Sequence, residues 1–587
     1  MNCGRLGRGR WMAAAGLIGA VQVVGVVFTS AVCGGSTAAQ TPQNSGQPQY
    51  TIQARVPLTI VDVTVTDAKG KPVHGLKQTD FTVLEDNQEM KPNSFEEHRT
   101  DVTAPTAPVL VKQELPPNTF TNATPTAPKA GPLNVLLIDN LNTPTLVQTI
   151  VKQQMLNFLD KMPAGTRMEV LSLDTHLRVL QGFTDDRSLL KAAVAATVPQ
   201  FERNEDPNQD PAQTEPASLE EEGTMIATRA ENMIGSLKQI ARFLGGMPGR
   251  KNLFWFTGSV TLQFPPANRD PDVWQPLSGT VEFYDGDAAM TAATDQLARA
   301  HVAVYSIDSR GLQIIKPKTR KYDLVNAEHF TMESVAEQTG GKALYNNNDL
   351  AALATDAIDS GSNYYTLTYT PVNQTLDTRF RTIAVKVDQP GLNLTYRNGY
   401  YAVEPDVTLS GKKVEKVNAM QAALMRGALD ATQVLFKVKV ERAPGTEAKL
   451  PADNQPDAKQ MKPPYRHFTI SYSIDVHGID FATSPDGNYR GNFEYGVRVY
   501  NAGGDEIVNS VSTIISPILP PTVYRSMLRG GANASQQIDV PATGDYFLRI
   551  AVHDLASDRV GAIEVPTASI EPETVPAVLK GTGSPVP

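Results

Sequence analysis

The residue with the clearest chemical potential is Asp139, which ends the apolar run 135–138 and is followed by turn formers and a helical pattern. A short continuous apolar run of this kind is typical of a strand buried on both faces of a parallel sheet. Ligands bind at the carboxyl ends of such strands, so the sequence predicts a site at Asp139. The same carboxylate would also serve as a cap for the following helix, and both interpretations stay open.

A second candidate binding element is the long segment 260–287, which follows a predicted buried strand. It contains the aromatic residues Trp274, Phe283 and Tyr284 among several aspartates. Long loops beside the ligand edge of a sheet are natural binding elements, and aromatic side chains are common anchors for a partner. The alternative is that these aromatic side chains pack the loop onto the N-terminal domain.

Sequence signatures of catalysis are absent. The chain has eight histidines but no His-Glu-x-x-His, Gly-x-Ser-x-Gly, phosphate loop or dinucleotide fingerprint. Its two cysteines, Cys3 and Cys33, lie in the predicted leader, so the mature chain would have no thiolate nucleophile or ligand. We predict no catalytic residues, although a triad of distant residues stays open.

The elements that would position Asp139 lie in residues 132–402, where strands alternate with helices. This alternation predicts an α/β fold with a central doubly wound parallel sheet, to which antiparallel strands between 364 and 401 are appended. Short alternating strands separated by turns predict an N-terminal β-sandwich at 40–100 and a C-terminal β-sandwich-like domain at 403–587. Residues 101–131 are rich in Pro, Thr and Ala, which indicates a linker or wrapping arm.

Residues 1–39 carry three arginines, an apolar segment and small residues before Gln40, the pattern of a signal peptide. We therefore expect a secreted or periplasmic, cell-envelope protein. The apolar run approaches the length of a membrane span, so an uncleaved anchor is the alternative, and membrane contact is expected only in that case.

The net charge of the chain is −9 and its basic residues are scattered, which argues against nucleic acid as a partner.

Several short motifs occur together over residues 50–402. They are VLEDN (83–87), LLID (136–139), NTP (142–144), FLGGMPGRKN (243–252), WFTGS (255–259), DSRGL (308–312), QTGG (338–341), GSNYY (361–365) and YRNGYY (396–401). With these motifs the chain resembles the von Willebrand factor A (VWFA) domain, and more narrowly the VWFA-related proteins of acidobacteria.

The resemblance implies a metal ion-dependent adhesion site, in which oxygen ligands hold Mg²⁺ or another divalent cation and leave a position open for a partner's carboxylate. The family pattern is Asp-x-Ser-x-Ser, then a Thr, then an Asp after a later strand. Asp139 matches the first Asp, Thr143 stands in for the second Ser, and Thr224 is a possible match to the Thr. Leu141 replaces the first Ser, and Thr-Gly-Ser at 257–259 stands where the later Asp is expected, so the resemblance implies a degenerate site.

Asp174 and Asp308 also end predicted strands and would either supply the missing carboxylates or cap turns. The combined expectation is an exported, non-enzymatic adhesion protein that recognises a protein or a surface polymer. The alternatives are a metal-free structural scaffold of an envelope assembly and an extracellular hydrolase.

Overall fold

The computed structural model describes residues 58–99, 115–123, 132–198, 219–258, 286–402, 419–449, 461–502 and 507–571, apart from 313, 314, 318, 319, 348, 376 and 378. The predicted signal peptide at 1–39 and the aromatic residues Trp274, Phe283 and Tyr284 lie outside the described residues. No helix within the described ranges is long and apolar enough to cross a membrane.

Strands are numbered in chain order. They are β1 (Thr59–Thr66), β2 (Phe81–Glu85), β3 (Gln88–Met90), β4 (Pro92–His98), β5 (Thr119–Thr121), β6 (Leu133–Asp139), β7 (Met168–Leu173), β8 (Leu177–Thr184), β9 (Lys251–Thr257), β10 (Val302–Asp308), β11 (Lys342–Leu344), β12 (Tyr364–Tyr369), β13 (Phe380–Val387), β14 (Asn393–Thr395), β15 (Gly399–Tyr401), β16 (Phe436–Arg442), β17 (Tyr465–Ile474), β18 (Ala482–Thr483), β19 (Tyr489–Arg490), β20 (Phe493–Asn501), β21 (Ile507–Ile515), β22 (Ile518–Leu519), β23 (Ala532–Pro541), β24 (Tyr546–Asp554) and β25 (Arg559–Pro566).

The α-helices are numbered in the same way. They are α1 (Thr145–Lys161), α2 (Arg187–Ala195), α3 (Leu219–Gly245), α4 (Gly286–Arg299), α5 (Arg320–Thr339), α6 (Leu350–Ser362), α7 (Ala419–Ala423) and α8 (Pro521–Gly530).

The central element is a six-stranded sheet with the order β11-β10-β9-β6-β7-β8. Neighbouring strands are parallel except for β8, which runs antiparallel to β7 at the edge. The predicted α/β fold with a parallel sheet is therefore confirmed. The prediction that all of its strands are parallel is wrong for β8. Only Asp174, Thr175 and His176 separate the two strands, and a parallel crossover requires a much longer connection.

Helices cover both faces of this sheet. Leu137 and Trp255 point into one hydrophobic core with α3 and α4, whereas Ile138 and Phe256 point into a second core with α1 and α6. Successive strand residues face opposite sides, so burial on both sides requires the continuous apolar sequence of β6. Asp139 is the point at which this buried strand ends.

Two four-stranded antiparallel sheets, β14-β1-β12-β4 and β15-β13-β2-β3, share a separate core that includes Val63, Val83 and Leu367. The strands expected as appendages of the central sheet therefore pair with the N-terminal strands; Val61, for example, lies opposite Leu367. In sequence, the central sheet is inserted between β4 and β12. A single strand's pattern does not reveal which distant strand it pairs with.

Two further four-stranded sheets, β23-β17-β16-β5 and β21-β20-β24-β25, share the C-terminal core. Strand β5 comes from the segment predicted as a linker or arm, and it pairs with β16. The buried side chain of Asn122 follows β5 and donates to the carbonyls of Ala431 (2.7 Å) and Val434 (2.8 Å). It also accepts a hydrogen bond from the backbone N–H of Phe436 at 2.8 Å, so it satisfies three backbone groups.

The end of α3 contacts the C-terminal part of the chain closely. The hydroxyl of Thr432 donates to the carbonyl of Phe243 at 2.5 Å and accepts from the backbone N–H of Gly246 at 3.1 Å. A Cβ atom at Gly246 would lie 1.8 Å from the carbonyl oxygen of Thr432, so only glycine allows this approach.

Candidate functional site at the carboxyl end of β6

The carboxylate of Asp139 is buried, with 1% of the residue exposed, and its acceptor positions face N–H donors. Oδ1 accepts from the backbone N–H (3.0 Å) and the side-chain amide (3.1 Å) of Asn142. Oδ2 accepts from the same amide at 2.9 Å and from the indole N–H of Trp255 at 3.0 Å. Three donor groups therefore hold this buried carboxylate, and the side-chain amide of Asn142 reaches both of its oxygens.

The electrostatics follow from burial and these donors. Burial raises the pKa of Asp139, and the hydrogen bonds from Asn142 and Trp255 oppose that rise. Because those donors stabilise the charged form, they replace part of the solvation that the carboxylate loses in the interior.

The hydroxyl of Thr143 is used within the fold. It donates to the backbone carbonyl of Asp139 at 2.5 Å and accepts from the backbone N–H of Gly258 at 2.9 Å. A Cβ atom at Gly258 would lie 3.0 Å from Cγ2 of Thr143, so the loop after β9 has little room for an aspartate at this position. Thr143 thus joins the ends of β6 and β9 directly.

The remaining positions of the implied metal site either pack against the core or lie outside the described residues. Leu141, at the place of the first Ser, packs against the core beneath α3 and α4. Thr224 lies within α3, and its side chain is outside the described residues. Ser259 and the aromatic residues of the 260–287 segment lie outside them as well.

Asp174 and Asp308 each have basic partners. Asp174 forms an ion pair with Arg178 and accepts from the amide of Asn140 at 2.9 Å. Asp308 accepts two hydrogen bonds from the guanidinium of Arg310, at 2.9 and 2.8 Å, and lies 3.0 Å from Nε2 of His329. Despite the burial of Asp308, the bonds from His329 and Arg310 lower its pKa. Both carboxylates therefore belong to local ion pairs.

Asp139 and Thr143, as the structure describes them, leave little coordination capacity for a divalent cation, whereas the side chain of Thr224 is outside the described residues and its ligand role stays a prediction. A metal ion would need the lone pairs of Asp139 and Thr143 that now accept N–H groups, and Leu141 and Gly258 offer no side-chain oxygen. Within the described residues, no group of three or more His, Cys, Asp or Glu side chains is arranged to hold a metal ion.

The donors to Asp139 were missed at the sequence level. Asn142 had only a general signal, because Asp side chains commonly accept hydrogen bonds from backbone N–H groups close by in the sequence. Trp255 had none, because its role depends on the adjacency of β6 and β9, which places it opposite Leu137.

No family model matches the chain, and no curated protein matches it. Among solved structures, an aerotolerance-related membrane protein from Bacteroides fragilis is 13% identical with a TM-score of 0.24, over 39% of this chain and 99% of that chain. Proximal thread matrix protein 1 from the mussel byssus, with a zinc-occupied MIDAS motif, is 16% identical with a TM-score of 0.21, over 39% and 48%. A von Willebrand factor type A protein from Catenulispora acidiphila is 10% identical with a TM-score of 0.20, over 81% and 73%.

Proposed function

We propose that this chain is an exported, non-enzymatic binding or adhesion protein with a VWFA-like central domain and a degenerate metal ion-dependent adhesion site. In this proposal it recognises a protein or a surface polymer without a bound cation, and it acts outside the cell or in the periplasm and cell envelope. The observation that supports this proposal is that the carboxylate of Asp139 accepts hydrogen bonds from Asn142 and Trp255. A cation would have to coordinate the same carboxylate oxygens.

The binding surface in this proposal is the carboxyl edge of the sheet together with the segment 260–287. That segment leaves the carboxyl end of β9 at Thr257 and leads into α4 at Gly286, so both of its attachments are fixed by the central domain. Trp274, Phe283 and Tyr284 are the proposed partner-contacting residues, because aromatic side chains provide large contact areas at small entropic cost.

The test is retention of the full-length chain on insoluble peptidoglycan and on intact bacterial cells, in buffer with Mg²⁺ and in buffer with EDTA. The variant replaces Trp274, Phe283 and Tyr284 together by Ala. The matched control is Phe330→Ala, which removes an aromatic side chain that is 47% exposed on α5.

The proposal expects equal retention in both buffers, loss in the triple variant and no change in the control. Retention that requires Mg²⁺ would contradict the metal-free mechanism. Absence of retention on both materials would contradict a binding role and favour a structural scaffold.

A further inference from the structure

Strand β21 forms an open edge of one C-terminal sheet, where it pairs on one side with β20. Among the described residues, no strand pairs with its other side. The nine residues of β21 include no charged residue and no proline, and most of them are β-branched. Ile514 is 61% exposed on this strand. The free N–H and C=O groups of such an edge can pair with a further strand.

The other edge strands of the described sheets are protected in familiar ways. Strand β4 contains a proline and two glutamates, and β8 contains an arginine and pairs irregularly with β7. Strand β25 is covered, because the backbone N–H of Ala562 donates to the carbonyl of Ala431 at 2.9 Å. Strand β23 contains Asp539 and ends at Pro541, and the remaining edge strands have two or three residues each. Charge, proline, cover and short length all discourage pairing with another chain, and β21 has none of these features.

The side chain of Asn509 indicates which backbone groups of β21 face the open edge. Its Oδ1 accepts a hydrogen bond from the backbone N–H of Ser510 at 2.8 Å, and its Nδ2 donates to the carbonyl of Asp539, on β23, at 2.8 Å. The N–H of Ser510 therefore points away from β20. Because the backbone groups of successive residues in a strand point to opposite sides, those of Ser512 and Ile514 also face the open edge.

The side chains of these three residues are uncharged and exposed. On the neighbouring strand β20, Arg498 lies opposite Ser510, and Glu494 lies opposite Ile514. Charges of opposite sign therefore lie one strand away from the open edge, towards its two ends.

We propose that β21 binds β21 of a second copy of this chain, as an antiparallel pair about a two-fold axis at Ser512. In this pair Ser512 lies opposite Ser512 of the other copy, and Ser510 lies opposite Ile514. The backbone groups that face the open edge in one copy then meet the same groups of the other copy, which is the geometry of strand addition. Because both copies use the same surface, the assembly closes as a dimer.

The charges of this region favour a second copy as the occupant. Strand β21 carries no charge, so the two copies do not repel each other where they pair. The two-fold axis also places Glu494 of one copy in the same row as Arg498 of the other copy, so that opposite charges rather than like charges are aligned. The exposed side chain of Ile514 would lose contact with water in the pair.

The first experiment is sedimentation equilibrium of the full-length chain over a range of concentrations. We expect a monomer–dimer equilibrium with a dissociation constant on the order of 10 µM, because one pair of strands buries less surface than most stable dimers. Ser512→Lys would place two like charges opposite each other at the axis, so it should weaken dimerisation by roughly tenfold or more. The control, Ser526→Lys, makes the same substitution at an exposed serine on α8 and should leave the equilibrium unchanged.

A mixture of two variants tests the proposed register and shows that the variants are folded. Ser512→Glu alone should dimerise as poorly as Ser512→Lys, whereas an equimolar mixture of the two should form a dimer, because opposite charges then meet at the axis. Hydrogen exchange of the wild-type chain should slow in β21 as the protein concentration rises and stay constant in α8.

The proposal is overturned if the wild-type chain stays monomeric, if it forms larger assemblies instead of a dimer, or if Ser512→Lys dimerises as tightly as Ser526→Lys. It is also overturned if the mixture of charged variants stays monomeric. Protection of β21 that does not depend on concentration would contradict it as well, because a segment of the same chain would then cover the edge. These measurements do not involve the carboxyl edge of the central sheet, so their result is independent of the proposed function.

Discussion

Replacing Trp255 by Phe tests whether the indole N–H sustains the buried charge of Asp139. The substitution removes a 3.0 Å hydrogen bond to a carboxylate that is 1% exposed, from a side chain that is itself fully buried. A hydrogen bond to a charged group contributes about 1.5–3 kcal/mol. The smaller ring also leaves unfilled volume in the core, so we expect a total loss of about 2–4 kcal/mol.

The pH dependence identifies the cause of that loss. Burial already raises the pKa of Asp139 above its ordinary value of 3.8, and removal of a donor to the charged form raises it further. Between the pKa of folded wild-type Asp139 and its higher pKa in the folded variant, only the variant keeps this proton. The stability of the variant therefore falls relative to wild type as the pH rises through that interval. At low pH, where Asp139 is protonated in both proteins, only the packing loss remains.

The assay is urea unfolding followed by circular dichroism across acid to neutral pH, for the wild type, Trp255→Phe, Asp139→Asn and the double variant. In the Asp139→Asn background the indole loses a charged partner, so Trp255→Phe should cost less there, with no dependence on pH in this range. A stability difference between wild type and Trp255→Phe that is the same at every pH, or equal in both backgrounds, would refute the proposed role of the indole.

Three further substitutions have defined outcomes. Gly246→Ala places a Cβ atom 1.8 Å from the carbonyl oxygen of Thr432 and should lower the free energy of unfolding by about 1–3 kcal/mol or more. The control Gly235→Ala has open space around its Cβ atom inside α3 and should raise the free energy of unfolding by about 0.5–1 kcal/mol. Equal melting temperatures for the two variants would contradict this prediction. Asn122→Ala leaves three backbone groups without their partner and should cost about 2–4 kcal/mol in urea unfolding, whereas exposed Asn533→Ala should be near neutral. Burial raises the pKa of Glu169 to about 8 from 4.5, so the wild type loses stability as the pH rises between these values. Glu169→Gln should therefore be more stable than the wild type at pH 9, by up to about 5 kcal/mol. Parallel pH profiles of stability for the two proteins would argue against this role of Glu169.

The sequence predicted the central sheet well because burial on both faces leaves a direct signal, the continuous apolar run of β6 and the acidic residue at its end. For the same reason it placed Asp139 at the carboxyl end of a buried strand, where the structure has it, and the role of Asp139 in binding stays a prediction. It did not reveal that the indole of Trp255 donates a hydrogen bond to Asp139, because Trp255 lies on a neighbouring strand more than a hundred residues away in the chain. The antiparallel edge strand β8 and the pairing of β12 with β1 likewise depend on contacts that the pattern of one strand does not encode.

The insertion of the central sheet between β4 and β12 has a consequence for the order of folding. Strand β1 pairs with β12 and β14, and β2 pairs with β13, so the N-terminal strands meet most of their neighbours only after the whole α/β segment has been made. Until then both edges of β1 and one edge of β2, which pairs early with β3, have no permanent partner, and such edges promote aggregation. Non-local pairing of this kind is also slow, because the entropy of closing a long loop opposes it. Early folding of the inserted sheet would bring β4 and β12 together and shorten that search.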